Sequence, residues 1–210
     1  MEKHLDITIS ASYSTLNELT EDTERIWLAF HGYGMLSQYF IKKFEVLDPK
    51  RNFIVAPQGL SKYYLEGFYG RVGASWLTKE DRLTEIDNQQ RYIKAVLAKE
   101  GVNPDNAEII MFGFSQGTAT ATRFGAFSGL PFSKLILWSG TFPEDLPPEQ
   151  VQHWPEELPI HFLVGTEDPF YKKGMEEEQK ALVKRITGKT LQFTSFEGKH
   201  EVIPELLLQI

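Results

Sequence analysis

The sequence predicts an α/β protein whose mostly parallel central sheet is covered by helices on both faces. Continuous apolar runs such as "RIWLAF", "NFIVAP", "EIIMF", "KLILW" and "IHFLV" read as strands buried on both sides. Segments with helical spacing separate several of them, the pattern of parallel strands joined by crossovers. A chain of 210 residues, 41% hydrophobic and 24% charged, is long enough for one compact core, so residues 1–210 are expected to form a single domain.

Each element follows from its local pattern. "LDITISASY" alternates Leu5, Ile7, Ile9, Ala11 and Tyr13, which predicts a half-buried strand at an antiparallel edge. "RIWLAF" predicts a central strand ending at "HGYG", "QYFIKKF" a short helix, and "NFIVAP" a buried strand closed by Pro57, Gln58 and Gly59. Residues 60–83 carry Gly67, Gly70 and Gly73 among aromatic side chains without a clean period and read as an irregular loop. "TEIDNQQRYIKAVLAKEG" places Ile86, Ile93, Val96 and Leu97 at helical offsets and stops at Gly101. The strand "EIIMF" follows, then a helix beginning near Gln116, the strands "KLILW" and "IHFLV", the charged helix "KKGMEEEQKALVKRI", the strand "TLQFTSF" and a short terminal helix near "PELLLQ". Residues 141–157 are rich in Pro and Glu but too short for a lid domain, so any cover over a site is a loop.

Composition removes several functions. A net charge of -7 with no block of Lys and Arg argues against a nucleic-acid partner. No apolar run approaches the roughly 18 residues of a membrane span, and "MEKHLDITIS" lacks the apolar core of a signal peptide. The expectation is a soluble, cytoplasmic protein with no integral membrane segment. The absence of Cys excludes disulfides, thiolate metal sites and cysteine nucleophiles. Nucleotide-binding G-x-G-x-x-G and G-x-x-x-x-G-K-[ST] patterns and the zinc-binding H-E-x-x-H are also missing.

What remains is Gly113-Phe114-Ser115-Gln116-Gly117, a G-x-S-x-G pentapeptide set directly after a buried strand and directly before a helix. The serine of such an elbow sits in a strained turn with its hydroxyl exposed, and its neighbours two positions away must lack side chains. The plain alternative is a strand–helix turn with Ser115 as an N-cap. A serine hydroxyl needs a base to take its proton and a carboxylate to orient that base. Of the five histidines, His200 in "FEGKHEV" follows the last strand, where a loop can carry it over Ser115. His4 is near the chain end, His161 lies within a strand, and His153, in the Pro-rich loop, stays open on sequence alone. "FLVGTEDPF" offers Glu167 and Asp168 as the carboxylate; Asp168 is preferred, with a turn or helix cap as its ordinary reading. Ser115, Asp168 and His200 then stand in the order nucleophile, acid, base, each after a successive strand end. In "FHGYG" the glycines let the backbone turn so that the N–H of Tyr33 can face an oxyanion together with that of Gln116.

The set "HGYG", "APQG", "GASW", "GFSQG", "GTEDPF" and "GKH" resembles the phospholipase/carboxylesterase family of α/β-hydrolases, which includes acyl-protein-thioesterase-like enzymes and small bacterial esterases. The resemblance runs from about Arg25 to His200. It implies an α/β-hydrolase fold without a large lid domain, a nucleophile at Ser115, an acid at Asp168, a base at His200 and backbone oxyanion donors at Tyr33 and Gln116. It further implies hydrolysis of carboxylic esters, including lysophospholipids or thioesters, with a small-molecule acyl substrate and no metal or organic cofactor; a homodimer is compatible with it. Phe68, Tyr69 and Trp76 in the aromatic loop, and Phe142 after "KLILW", are the expected pocket walls. The competing expectation is a non-catalytic small-molecule-binding protein on the same scaffold.

Overall fold

In the computed structural model, which describes residues 3–210, seven strands form one sheet in the order β1-β3-β2-β6-β7-β8-β9. They are β1 (Tyr13–Leu16), β2 (Arg25–Phe30), β3 (Asn52–Pro57), β6 (Glu108–Phe114), β7 (Lys134–Trp138), β8 (Ile160–Gly165) and β9 (Leu191–Phe196). Only β1 runs antiparallel, pairing with β3 at the sheet edge. The other pairings are parallel, as the unbroken apolar runs require.

Alternate side chains of each central strand enter opposite cores. Ile26, Leu28 and Phe30 of β2 join the core beneath α2 (Arg82–Lys99), α3 (Gln116–Phe127) and α4 (Met175–Thr187). Trp27 and Ala29 face the other way, toward α1 (Ser37–Phe40), the 3-10 turn Ile41–Phe44 and the C-terminal 3-10 helix Pro204–Gln209. That second core is aromatic, with Phe112 of β6 edge-on to Phe44 at 5.1 Å and beside Trp138 at 5.8 Å. Among the described residues no helix is long and apolar enough to cross a membrane.

Two local expectations are corrected. The edge strand begins at Tyr13 rather than Leu5, and Leu5, Ile7 and Ile9 are exposed. Its register explains the shortening: Tyr13 pairs with Pro57, and beyond Pro57 the partner chain leaves the sheet as Gln58 turns in toward His31. The segment 60–83 contains a hairpin, β4 (Ser61–Tyr64) paired antiparallel with β5 (Val72–Ser75). Most of β4 is solvated, so it lacks the alternation that reveals a half-buried strand. The expected short terminal helix is present, in 3-10 form over Pro204–Gln209. The stop at Gly101 is present: Gly101 takes φ 66°, and the N–H of Val102 reaches back to the carbonyl of Leu97.

Candidate active site

The carboxyl ends of β6, β8 and β9 converge on Ser115, Asp168 and His200. Ser115 joins β6 to α3 with φ 52° and ψ -119°, a strained conformation for a residue with a side chain. Its neighbours show why glycine is needed: a Cβ on Gly113 would overlap the Thr118 Cα, and one on Gly117 would overlap the carbonyl oxygens of Phe30 and His31. Although Ser115 occupies the N-cap position of α3, its side chain makes no cap hydrogen bond. The hydroxyl lies 2.9 Å from His200 Nε2 instead.

His200 is held from three sides. Its Nδ1 lies 2.7 Å from Asp168 Oδ2, and its ring packs between Phe114 at 5.0 Å and Phe170 at 4.8 Å. The Asp168 carboxylate is almost fully enclosed, and its other oxygen accepts the N–H of Phe170 at 2.9 Å. The loops bearing acid and base are tied together as well: Thr166 N–H donates to the Phe196 carbonyl and Glu167 N–H to that of Gly198, both at 2.8 Å. With Nδ1 protonated toward Asp168, Nε2 is left as an acceptor for the Ser115 proton.

The two backbone N–H groups expected as oxyanion donors are those of Gln116 and Tyr33. Gln116 is the first residue of α3, where N–H groups lack intrahelical partners and the helix dipole is positive. Its side chain anchors the segment after β5, accepting from Trp76 N–H at 3.0 Å and donating to Ser75 Oγ at 3.0 Å and the Leu77 carbonyl at 2.9 Å. In the turn after β2, Gly34 N–H donates to Ala74 and Met35 N–H to Gly32, while the N–H of Tyr33 has no acceptor among the described residues. His31 holds that turn from inside: fully buried, it donates from Nδ1 to the Gly32 carbonyl at 2.7 Å and accepts Gly59 N–H at Nε2 at 2.9 Å.

Burial pushes the His31 imidazole down to about 4, the Gly32 hydrogen bond offsetting part of the effect. The unfolded chain takes up this proton near pH 6.5 and the folded chain only near 4, so folding loses stability as pH falls between those values. The expected loss is up to about 3 kcal/mol. Urea unfolding at pH 7 and pH 4.5 should show it, and the His31→Gln variant should show a smaller difference between the two pH values; an equal difference would remove His31 as the cause.

The family model for phospholipases and carboxylesterases matches residues 17–210. The chain belongs to the phospholipase/carboxylesterase family. No curated protein matches the sequence. Among solved structures, this family member superposes on Zea mays acyl-protein thioesterase 2 with a TM-score of 0.67 at 16% identity, covering 95% of this chain and 96% of that one. The esterase PE8 gives 0.65 at 20% identity over 96% and 100% of the two chains, and the Bacillus cereus carboxylesterase 0.62 at 13% over 91% and 87%. These likenesses establish the α/β-hydrolase fold of the phospholipase/carboxylesterase-family chain.

Beside Ser115 and His200 the family member has a cavity of about 760 Å³, walled by Phe142, Phe162, Val164, Met175 and Leu182 among others. Phe142, expected at the pocket rim, is one of the residues lining this cavity. Phe68 and Tyr69 are not: they are 85% and 84% exposed in the loop joining β4 to β5 and form no part of the wall. Trp76 is buried behind the site, its indole N–H bonded to the His31 carbonyl at 2.8 Å, so it supports the turn that carries Tyr33. The other histidines are elsewhere: His4 pairs with Asp81, His153 reaches only the Gly125 carbonyl at 3.3 Å, and half-buried His161 is pulled below the ordinary histidine range by burial and by Lys134.

Sequence reasoning missed Arg82, Arg123, Asp145 and Ser139, all in the cavity wall. Arg123 had a readable signal, because it is the sole charged side chain in "QGTATATRFGAF". Ser139 had none: it takes φ 50° at the end of β7, with a buried hydroxyl that has no partner among the described residues.

Proposed function

We propose that the protein, acting as one α/β domain, is a serine hydrolase that cleaves carboxylic esters through an acyl-enzyme. Ser115 Oγ attacks the acyl carbonyl as its proton passes to His200 Nε2. Asp168 keeps the imidazole in the productive tautomer and stabilises its charged form. The negative charge developing on the carbonyl oxygen meets the N–H groups of Tyr33 and Gln116, preorganised before substrate arrives. His200 returns the proton to the departing alcohol, and a water molecule activated by the same base releases the acid.

The observation that carries this reading is the hydrogen-bonded line from Ser115 through His200 to Asp168, at 2.9 and 2.7 Å, on a serine diverted from capping its helix. An alkyl fluorophosphonate tests it. Stoichiometric labelling at Ser115, found by peptide mass analysis and abolished in the Ser115→Ala variant, is the expected result. Folded protein that takes up no label would favour a binding protein on a hydrolase scaffold.

A further inference from the structure

One end of the cavity is built for charge. Arg123 lies on the cavity face of α3, four residues beyond Ala119 and seven beyond Gln116. Its side chain is 6% accessible, yet among the described residues it donates to one acceptor, Asp145 Oδ1, at 2.6 Å. A guanidinium carries five N–H donors, and most of those on Arg123 have no protein acceptor among the described residues, which leaves them for a ligand in the cavity. Burial pulls the Arg123 guanidinium below its usual range, against the opposing hydrogen bond that it donates to Asp145. Arg82, the first residue of α2, donates to the other oxygen of the same carboxylate at 2.9 Å. Positive charge there opposes the helix dipole, so Arg82 gains nothing from its own helix.

Two guanidinium groups on one carboxylate leave this cluster with a net positive charge, in a chain whose formal charge is -7. Glu144 shares the cavity rim, but it is exposed and has no ion-pair or hydrogen-bond partner among the described residues, so solvent screens its charge. The helical rise sets the Arg123 Cα about 10–12 Å along α3 from Ser115, and helix side chains lean toward the N-terminus, bringing the guanidinium back toward the nucleophile. Ala119, Phe142 and Phe162 supply apolar wall in the same cavity.

We propose that Arg123 and Arg82 form an anion-binding end of the cavity, so that the preferred esters carry a carboxylate or phosphate group several bonds from the scissile carbonyl. The inference rests on Ser115 being the nucleophile, because the distance is counted from it. The anion takes up guanidinium N–H groups that Asp145 leaves free, and the apolar wall holds the short chain between the two ends.

The test compares kcat/KM within matched pairs. One arm uses p-nitrophenyl esters of succinic, glutaric and adipic acids, with one carboxyl free, against the butyrate, valerate and hexanoate esters. A second uses acetate esters of alcohols ending in carboxylate or phosphate against their neutral methyl-capped forms. At least one charged series should be favoured by about tenfold or more, as charge-assisted hydrogen bonds allow, and added salt should narrow the margin. The arm that responds identifies the side of the ester and the anion. The charged-to-neutral ratio should fall about tenfold in Arg123→Met and also in Arg82→Met, whose half-buried site lies outside the core. Free adipate should inhibit the wild-type protein more strongly than hexanoate, a comparison that needs no variant. Absence of any charge preference, or a preference that survives both replacements, overturns the inference while leaving ester hydrolysis intact. Failure to hydrolyse any ester, charged or neutral, overturns the nucleophile assignment and this inference with it.

Discussion

Replacing Ser115 by Ala is expected to reduce ester turnover by a factor on the order of 10⁶, because nucleophile and base act as a unit. In the proposed mechanism the hydroxyl bonds to the acyl carbon, and it is the hydrogen-bond partner of His200 Nε2 at 2.9 Å. Nothing else in the cavity wall combines a hydroxyl with an aligned base: Ser139 Oγ is buried without a partner, and Thr118 Oγ1 donates to the carbonyl of Ser115 at 2.8 Å. Hydrolysis of short p-nitrophenyl esters measures the loss, with circular dichroism and thermal unfolding confirming that the variant is folded. His200→Ala should be about as damaging, and the double variant no worse than either single one. His153→Gln should leave turnover nearly unchanged, since His153 contacts the Gly125 carbonyl far along α3. Near-wild-type hydrolysis by Ser115→Ala would sink the assignment; a large loss in His153→Gln with little in His200→Ala would move the base.

The site residues were legible because each is announced by its neighbours along the chain. Gly113 and Gly117 mark the elbow through steric need, and Asp168 and His200 follow strand ends that the apolar runs had already located. The cavity was less legible because its walls come from side chains whose direction depends on tertiary packing. Phe68 and Tyr69 belong to an aromatic-rich segment, yet a hairpin carries them into solvent, while Trp76 a few residues later is fully enclosed. Composition could not separate these three. Arg123 lies two turns past the elbow, outside the span that the G-x-S-x-G pattern covers, yet a lone cation in a helix of small residues is itself a signal. The edge strand was misplaced for a related reason: alternation at Leu5, Ile7 and Ile9 describes a surface able to pair, and the partner strand ends before it reaches them.

Asp168→Asn is expected to lower kcat by about 10⁴ with little change in fold, through the tautomer of His200. Both carboxylate oxygens are acceptors here, Oδ2 for His200 Nδ1–H at 2.7 Å and Oδ1 for Phe170 N–H at 2.9 Å. An amide offers a single oxygen in their place. If that oxygen stays on Phe170, the amide NH₂ faces His200 Nδ1, which must then accept, and the ring proton moves to Nε2 where it points at Ser115 and cannot receive its proton. If the amide flips to satisfy His200, its NH₂ meets the Phe170 N–H in a wall that is nearly closed to water. The first arrangement sacrifices catalysis and the second sacrifices a buried hydrogen bond worth about 1–3 kcal/mol, so the loss of rate is the expected outcome. Steady-state kinetics on p-nitrophenyl acetate, with fluorophosphonate labelling rates as a second readout, separates them. Slow labelling together with slow turnover supports the tautomer argument, whereas an unchanged rate with a lowered melting temperature would show that Asp168 is a turn residue and that another group orients His200.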